Sequence, residues 1–199
     1  MSTFTLSTAF NLQPEKELIA FVGGGGKTSL LFTLGAALPG RRILTTTTRI
    51  FAAQMDRAQE LIFATENTEE NEKNIRAALE RSNICLVVGE VAGDKAVGVS
   101  PELPGRWLAH PDVDFVLVEA DGSRMRPIKA PAEHEPVIPP ETTLVVPVVG
   151  IDALDGRFSQ VTHRPEIAAE LLHWSVFSDQ LSASDVAQLI AHPQGGLKD

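Results

Sequence analysis

Thiols are nearly absent from the 199 residues, which hold a single cysteine, Cys85. No intramolecular disulfide can therefore staple the fold, and the place of Cys85 in the apolar run Ile84 to Val88 predicts an inert buried thiol. Long hydrophobic runs are missing too: no stretch approaches 18 apolar residues, and no basic residue precedes an apolar run between Met1 and Leu12. Neither a transmembrane helix nor a signal peptide is expected, and a cytoplasmic location is. Positive charge is scarce, with 17 Lys and Arg against 26 Asp and Glu and a net charge of −9. That balance disfavours a phosphate-backbone footprint, so nucleic acid is not an expected partner. There is no internal repeat, low-complexity tract or break in composition. One domain spanning residues 1–199 is expected, long enough to bury about 70% of the surface of its unfolded chain.

What is present is an alternation of short Val-, Ile- and Leu-rich runs with helical stretches. It predicts an α/β fold with a mostly parallel sheet and helices on both faces. Strands are predicted at Glu17 to Val22, Arg42 to Thr46, Glu60 to Ala64, Asn83 to Gly89, Asp114 to Ala120 and Thr143 to Val149. Most are continuous apolar runs, as burial on both faces requires. Leu30, Leu31, Leu34 and Leu38 recur at helical spacing over Thr28 to Leu38, a helix stopped by Pro39-Gly40. Asn67 can cap a second helix with Glu70 three residues on, its exposed face carrying the i,i+4 pairs Glu69/Lys73 and Glu72/Arg76. Two further helices are predicted over Arg164 to His173 and Ser182 to Ala191, the latter capped by Ser182 or Ser184. Ser123 to Glu141 holds five prolines without periodicity and reads as a long functional or mobile loop.

The sharpest chemical feature is Phe21-Val22-Gly23-Gly24-Gly25-Gly26-Lys27-Thr28-Ser29, which joins the first strand to the first helix. Strand, glycine loop and helix stand in the order of a phosphate-binding loop, with Phe21 in place of the first glycine of G-x-x-x-x-G-K-[ST]. Amides of Gly23, Gly24, Gly25 and Gly26 and of the helix start through Ser29 can point at phosphate oxygens. Lys27 supplies a point charge, and Thr28 offers a hydroxyl to Mg²⁺. Glu119 and Asp121 stand at the carboxyl end of another predicted strand, the edge at which open α/β sheets bind ligands. Being two residues apart, they are expected to share a face, with Asp121 holding the metal and Glu119 acting as base. Thr45-Thr46-Thr47-Thr48-Arg49 ends the second strand on the same rim, so Thr47, Thr48 and Arg49 are candidate phosphate or Mg²⁺-water contacts. Arg124, Arg126 and Lys129 follow Asp121 and are expected to form an anion clamp or substrate lid. His110, His163, His173 and His192 have no metal-ligand spacing.

Together with Val118-Glu119-Ala120-Asp121-Gly122-Ser123-Arg124, Ala132-Glu133-His134-Glu135-Pro136-Val137-Ile138-Pro139, His163-Arg164-Pro165-Glu166 and Gly195-Gly196-Leu197-Lys198, these motifs resemble the YqeC family, accessory proteins of selenium-dependent molybdenum hydroxylases. The likeness runs from about Glu17 to Lys198. It implies a three-layer P-loop NTPase-like sandwich that binds ATP or GTP with Mg²⁺ and works with a molybdenum hydroxylase or its maturation factors. Family members continue past Gly-Leu-Lys into a strand with an Asn-Lys-x-Asp-like segment, so a truncated form is expected, with no residue assigned to base recognition. The leading expectation is an NTPase. A phosphotransferase acting on a small anionic acceptor, and a nucleotide-sensing module without turnover, are the alternatives.

Overall fold

The computed structural model describes residues 6–12, 16–174 and 180–198. Its strands are β1 (Glu17–Gly23), β2 (Arg42–Thr46), β3 (Arg49–Phe51), β4 (Leu61–Phe63), β5 (Ile84–Val88), β6 (Val91–Ala92), β7 (Lys95–Val97), β8 (Phe115–Glu119), β9 (Ile128–Lys129), β10 (Leu144–Val148) and β11 (Thr162–His163). Its helices are α1 (Leu6–Ala9), α2 (Lys27–Ala37), α3 (Thr68–Ser82), α4 (Leu103–Ala109), α5 (Phe158–Val161), α6 (Pro165–Leu172) and α7 (Ala183–Ala191). Six strands form one sheet in the order β10-β1-β8-β2-β5-β4. Every pairing in it is parallel, so all six carboxyl ends meet along one rim.

Alternation along buried strands feeds two cores at once. Leu18, Ile43, Cys85, Val116 and Val118 pack with Ile75 and Leu79 of α3 and Trp107 of α4. Ile19, Phe21, Leu44, Leu86 and Leu117 pack on the opposite face with Leu31, Phe32 and Leu34 of α2. This is the predicted α/β sandwich, three layers deep. Phe21 is fully buried within β1, so the position where the phosphate-loop pattern begins with glycine belongs to the strand and its core. Burial pushes the Cys85 thiol up to about 12, as its apolar setting predicts.

The caps follow the sequence. Asn67 accepts from Glu70 N at 3.2 Å, and Ser182 forms a capping box with Asp185. The predicted i,i+4 pairs of α3 do not form among the described residues. Arg76 instead reaches His110 Nε2 at 2.8 Å, and Arg81 at the far end of the helix holds Glu60 at 2.6 Å. Nor is the proline-rich stretch an open loop. Ile128 and Ala130 are buried in a third apolar cluster with Phe158, Ala168 and Leu189, and β9 pairs with β11. Lys198 Nζ clamps the preceding turn by donating to the carbonyls of Ala132, Glu133 and Glu135 at 2.6–2.8 Å.

Candidate functional site

Between β1 and α2 the chain turns through four glycines, and at three of them only glycine fits: Gly23 has φ 99° and a Cβ there would lie 2.6 Å from Val148 O. Gly26, at the N-cap of α2, has φ 100° and ψ −11°, a left-handed conformation. A Cβ on Gly24 would lie 1.9 Å from Pro127 O, so the loop rests directly on the segment after β8. Gly23 N donates to Asp121 at 2.9 Å, Gly24 N to Val148 O at 2.6 Å and Gly25 N to Pro127 O at 3.1 Å, so these three amides, expected to point at phosphate oxygens, are spent on fixing the loop. The amides that open α2 belong to a helical first turn and have no intrahelical acceptor. Gly26, Lys27, Thr28 and Ser29 at that turn line a cleft of about 610 Å³ on the strand-end rim.

The side chains expected to do chemistry split into two groups. Lys27 is buried and folds back, donating to Gly23 O at 2.7 Å and Gly24 O at 2.8 Å. It also lies 3.2 Å from Asp121. Asp121, expected to hold Mg²⁺, is 2% exposed and does not line the cleft. It accepts from Gly23 N at 2.9 Å and pairs with Lys129 at 3.1 Å. The reason is that β8 ends at Glu119, so the face-sharing of alternate strand residues stops there. Glu119 stays on the cleft floor and accepts from Thr28 Oγ1 at 2.7 Å. Burial raises the Glu119 pKa, opposed by the Lys27 charge and the Thr28 hydrogen bond. Thr28 and Glu119, rather than Thr28 and Asp121, are thus the paired oxygens at the loop.

Lys129, expected in an anion clamp, is also withdrawn. It donates to Gly122 O at 2.8 Å and to Glu135 at 2.7 Å, and Glu135 pairs with Arg164 at 2.6 Å. Burial would raise the Glu135 carboxyl, but hydrogen bonds and charge from Arg164 and Lys129 outweigh it and hold the pKa at about 2. His163 beside them is lowered to about 4 by burial and by the Arg164 and Lys129 charges, so its ring is neutral at pH 7. Lys27, Asp121, Lys129, Glu135 and Arg164 form one alternating chain of charge beneath the loop.

Of the threonine run, Thr45 donates to Val87 O, Thr46 to Glu119 O and Thr47 to Val137 O. These hydroxyls brace β2. Thr48 lines the cleft with Thr47 and Arg49, and its Oγ1 is the atom nearest to the open side of Gly122. Ser123 and Arg124 also reach the cleft, whereas Arg126 is exposed and stands outside it. Gln54, Lys95, Met125, His163 and Arg164 line it too. None was marked by its local pattern, although His163-Arg164 lies in one of the segments that carry the family resemblance. Among the described residues no cluster of three or more His, Cys, Asp or Glu could hold a metal ion, and no helix is long and apolar enough to cross a membrane.

A glycine loop opening a half-buried helix, with a hydroxyl and a carboxylate paired under it on a parallel sheet, defines a P-loop NTPase-like α/β protein. The family model described as "YqeC protein" matches residues 19–166. The chain is similar to the "Uncharacterized protein YqeC" of Escherichia coli (strain K12), 34% identical over 94% of this chain and 72% of that protein. It belongs to the YqeC family. No solved structure matches it.

Proposed function

We propose that the protein binds a nucleoside triphosphate together with Mg²⁺ and hydrolyses it. The carrying observation is the 2.7 Å hydrogen bond between Thr28 and Glu119 at the base of the glycine loop. A hydroxyl and one carboxylate are the hard oxygen pair that suits Mg²⁺, which takes its remaining ligands from phosphates and water. Thr28 and Glu119 would hold the metal, which would supply charge neutralisation for the transferred phosphoryl group. Lys27 would exchange the carbonyls of Gly23 and Gly24 for β- and γ-phosphate oxygens, and the amides from Gly26 to Ser29 would cradle the phosphates. Asp121 keeps Lys27 and Gly23 in register. Thr48, whose hydroxyl stands beside Gly122 at the neighbouring strand end, would orient the attacking water.

Burial makes the Glu119 carboxyl easier to protonate. Mg²⁺ and a proton compete for the Glu119 carboxylate, so binding of Mg²⁺ with nucleotide should weaken as pH falls. The test is calorimetric titration of ATP and GTP, each with and without Mg²⁺, followed by a phosphate-release assay. Saturable Mg²⁺-dependent binding is expected, weakened about 100-fold in Lys27→Ala, with turnover lost in Glu119→Gln. Failure of both nucleotides to bind would overturn the reading.

The motifs shared with the YqeC family support a client in the maturation of selenium-dependent molybdenum hydroxylases. Co-production of such a hydroxylase with the wild-type chain should raise its specific activity over co-production with Lys27→Ala. Equal activities would remove that client.

A further inference from the structure

We propose that the cleft holds a second subsite, opposite the glycine loop, for a small ligand bearing a phosphate or carboxylate group. Its wall is the antiparallel pair β3 and β7, whose register sets Arg49 opposite Val97 and Phe51 opposite Lys95. Residues two apart on a strand share a face, and so do residues directly opposite across a ladder. Arg49, Phe51 and Lys95 therefore stand on one face, while Ile50 and Ala96 between them are buried in the core behind. All three line the cleft, and Gln54 stands beside them.

Charge decides what this face would take. Five cationic side chains line the cleft, Lys27, Arg49, Lys95, Arg124 and Arg164, against two carboxylates, Glu119 and Glu135, in a chain of net charge −9. Lys27 and Arg164 are committed to Asp121 and Glu135. Arg49, Lys95 and Arg124 have no ion pair among the described residues, and Glu119 and Glu135 are already bonded to Thr28 and to Lys129 with Arg164. Two of the three unpaired cations, Arg49 and Lys95, thus stand on the β3–β7 wall. A guanidinium and an ammonium flanking an aromatic ring suit an anionic group, bound by the fork of Arg49 and the point charge of Lys95.

The subsite depends on the nucleotide reading in one respect, that a triphosphate fills the loop half. The full chain is first saturated with Mg²⁺ and a non-hydrolysable β,γ-imido analogue of whichever nucleotide binds. Inorganic phosphate is then titrated in, followed by amide chemical shifts. Saturable binding with shifts at residues 49–51 and 95–97 is expected, weakened at least about fivefold by Arg49→Ala and by Lys95→Ala, with analogue affinity changed less than twofold. Absence of saturable binding, or binding indifferent to both substitutions, overturns the subsite. A parallel fall in analogue affinity also overturns it, because those side chains would then serve the nucleotide. If no analogue binds, the nucleotide reading fails by itself. The same phosphate titration on the nucleotide-free Lys27→Ala chain then decides the subsite: binding abolished by adding Arg49→Ala supports it, and any other result overturns it.

Discussion

The two walls of the cleft satisfy their charges in opposite ways. Under the glycine loop every ionic group has a partner: Lys27 and Lys129 share Asp121 at 3.2 and 3.1 Å, and Lys129 and Arg164 share Glu135 at 2.7 and 2.6 Å. On the β3–β7 wall Arg49 has no ion pair among the described residues, and Lys95 lies over the Phe51 ring at 5.2 Å. A buried charge must be paired to be tolerated, so the loop wall is held in place by its own residues. An exposed cation costs little unpaired and remains available to a ligand. One wall is organised by folding, and the other is left to be organised by what binds.

Breaking the paired wall at its centre should have the largest effect. Asp121→Asn removes the one anion between two buried lysines and leaves Lys27 with carbonyls only. Losing one partner of a buried pair costs about 3–5 kcal/mol, a fall of about 10 °C in Tm for a chain of this size. Differential scanning calorimetry reads it, and a fall under about 3 °C would mean that Lys129 and Lys27 find other partners without strain.

Gly24→Ala breaks the same wall sterically. Its Cβ would sit 1.9 Å from Pro127 O, so the loop or the segment behind it must shift, at about 1–3 kcal/mol. Urea unfolding at pH 7 should show a lower midpoint with an unchanged slope.

These two positions also mark how far the sequence could be read. The glycine loop, Lys27 and Thr28 are contiguous, and their order between an apolar strand and a leucine-spaced helix identifies them without a structure. The sheet was equally legible, because strands buried on both faces are unbroken apolar runs. The charge chain was not. Lys129 follows Asp121 by eight residues and Arg164 follows Glu135 by 29, and no periodicity joins them; the turn after Glu119 and the pairing of β9 with β11 do. The expectation that Glu119 and Asp121 share a face failed for one local reason, the end of β8 at Glu119. Of the β3–β7 wall only Arg49 was marked, by the threonine run before it; Phe51 and Lys95 meet through an antiparallel pairing that no local pattern records.

Acid sharpens the comparison without disturbing packing. Glu135 has its pKa held at about 2 against an ordinary 4.5. The folded state therefore binds its proton less readily than the unfolded chain. Its contribution to stability is full above about pH 4.5 and is lost as pH falls from there toward 2. In Glu135→Gln that part of the acid dependence disappears: the variant should have a lower Tm than wild type at pH 6, with the gap narrowing between pH 4.5 and 2. A gap constant with pH would show that Glu135 acts through packing and not through its charge.

The smallest effect on stability is expected at the other wall. Arg49 is exposed and unpaired, so Arg49→Ala removes no buried contact and exposes no orphaned charge, and exposed substitutions of this kind have little effect. Its Tm should stay within about 2 °C of wild type from pH 4 to 8, where Asp121→Asn falls by several times that amount. The contrast is strongest when both are measured with and without 10 mM inorganic phosphate. A ligand that binds only the folded state raises Tm with the logarithm of 1 + [L]/Kd. With the loop half filled by Mg²⁺ and the imido analogue, phosphate should therefore raise the Tm of wild type and leave that of Arg49→Ala unmoved. An Arg49→Ala chain that melts several degrees lower without phosphate would place Arg49 in the framework of the β3–β7 wall, and the distinction between a wall organised by folding and one organised by its ligand would fall.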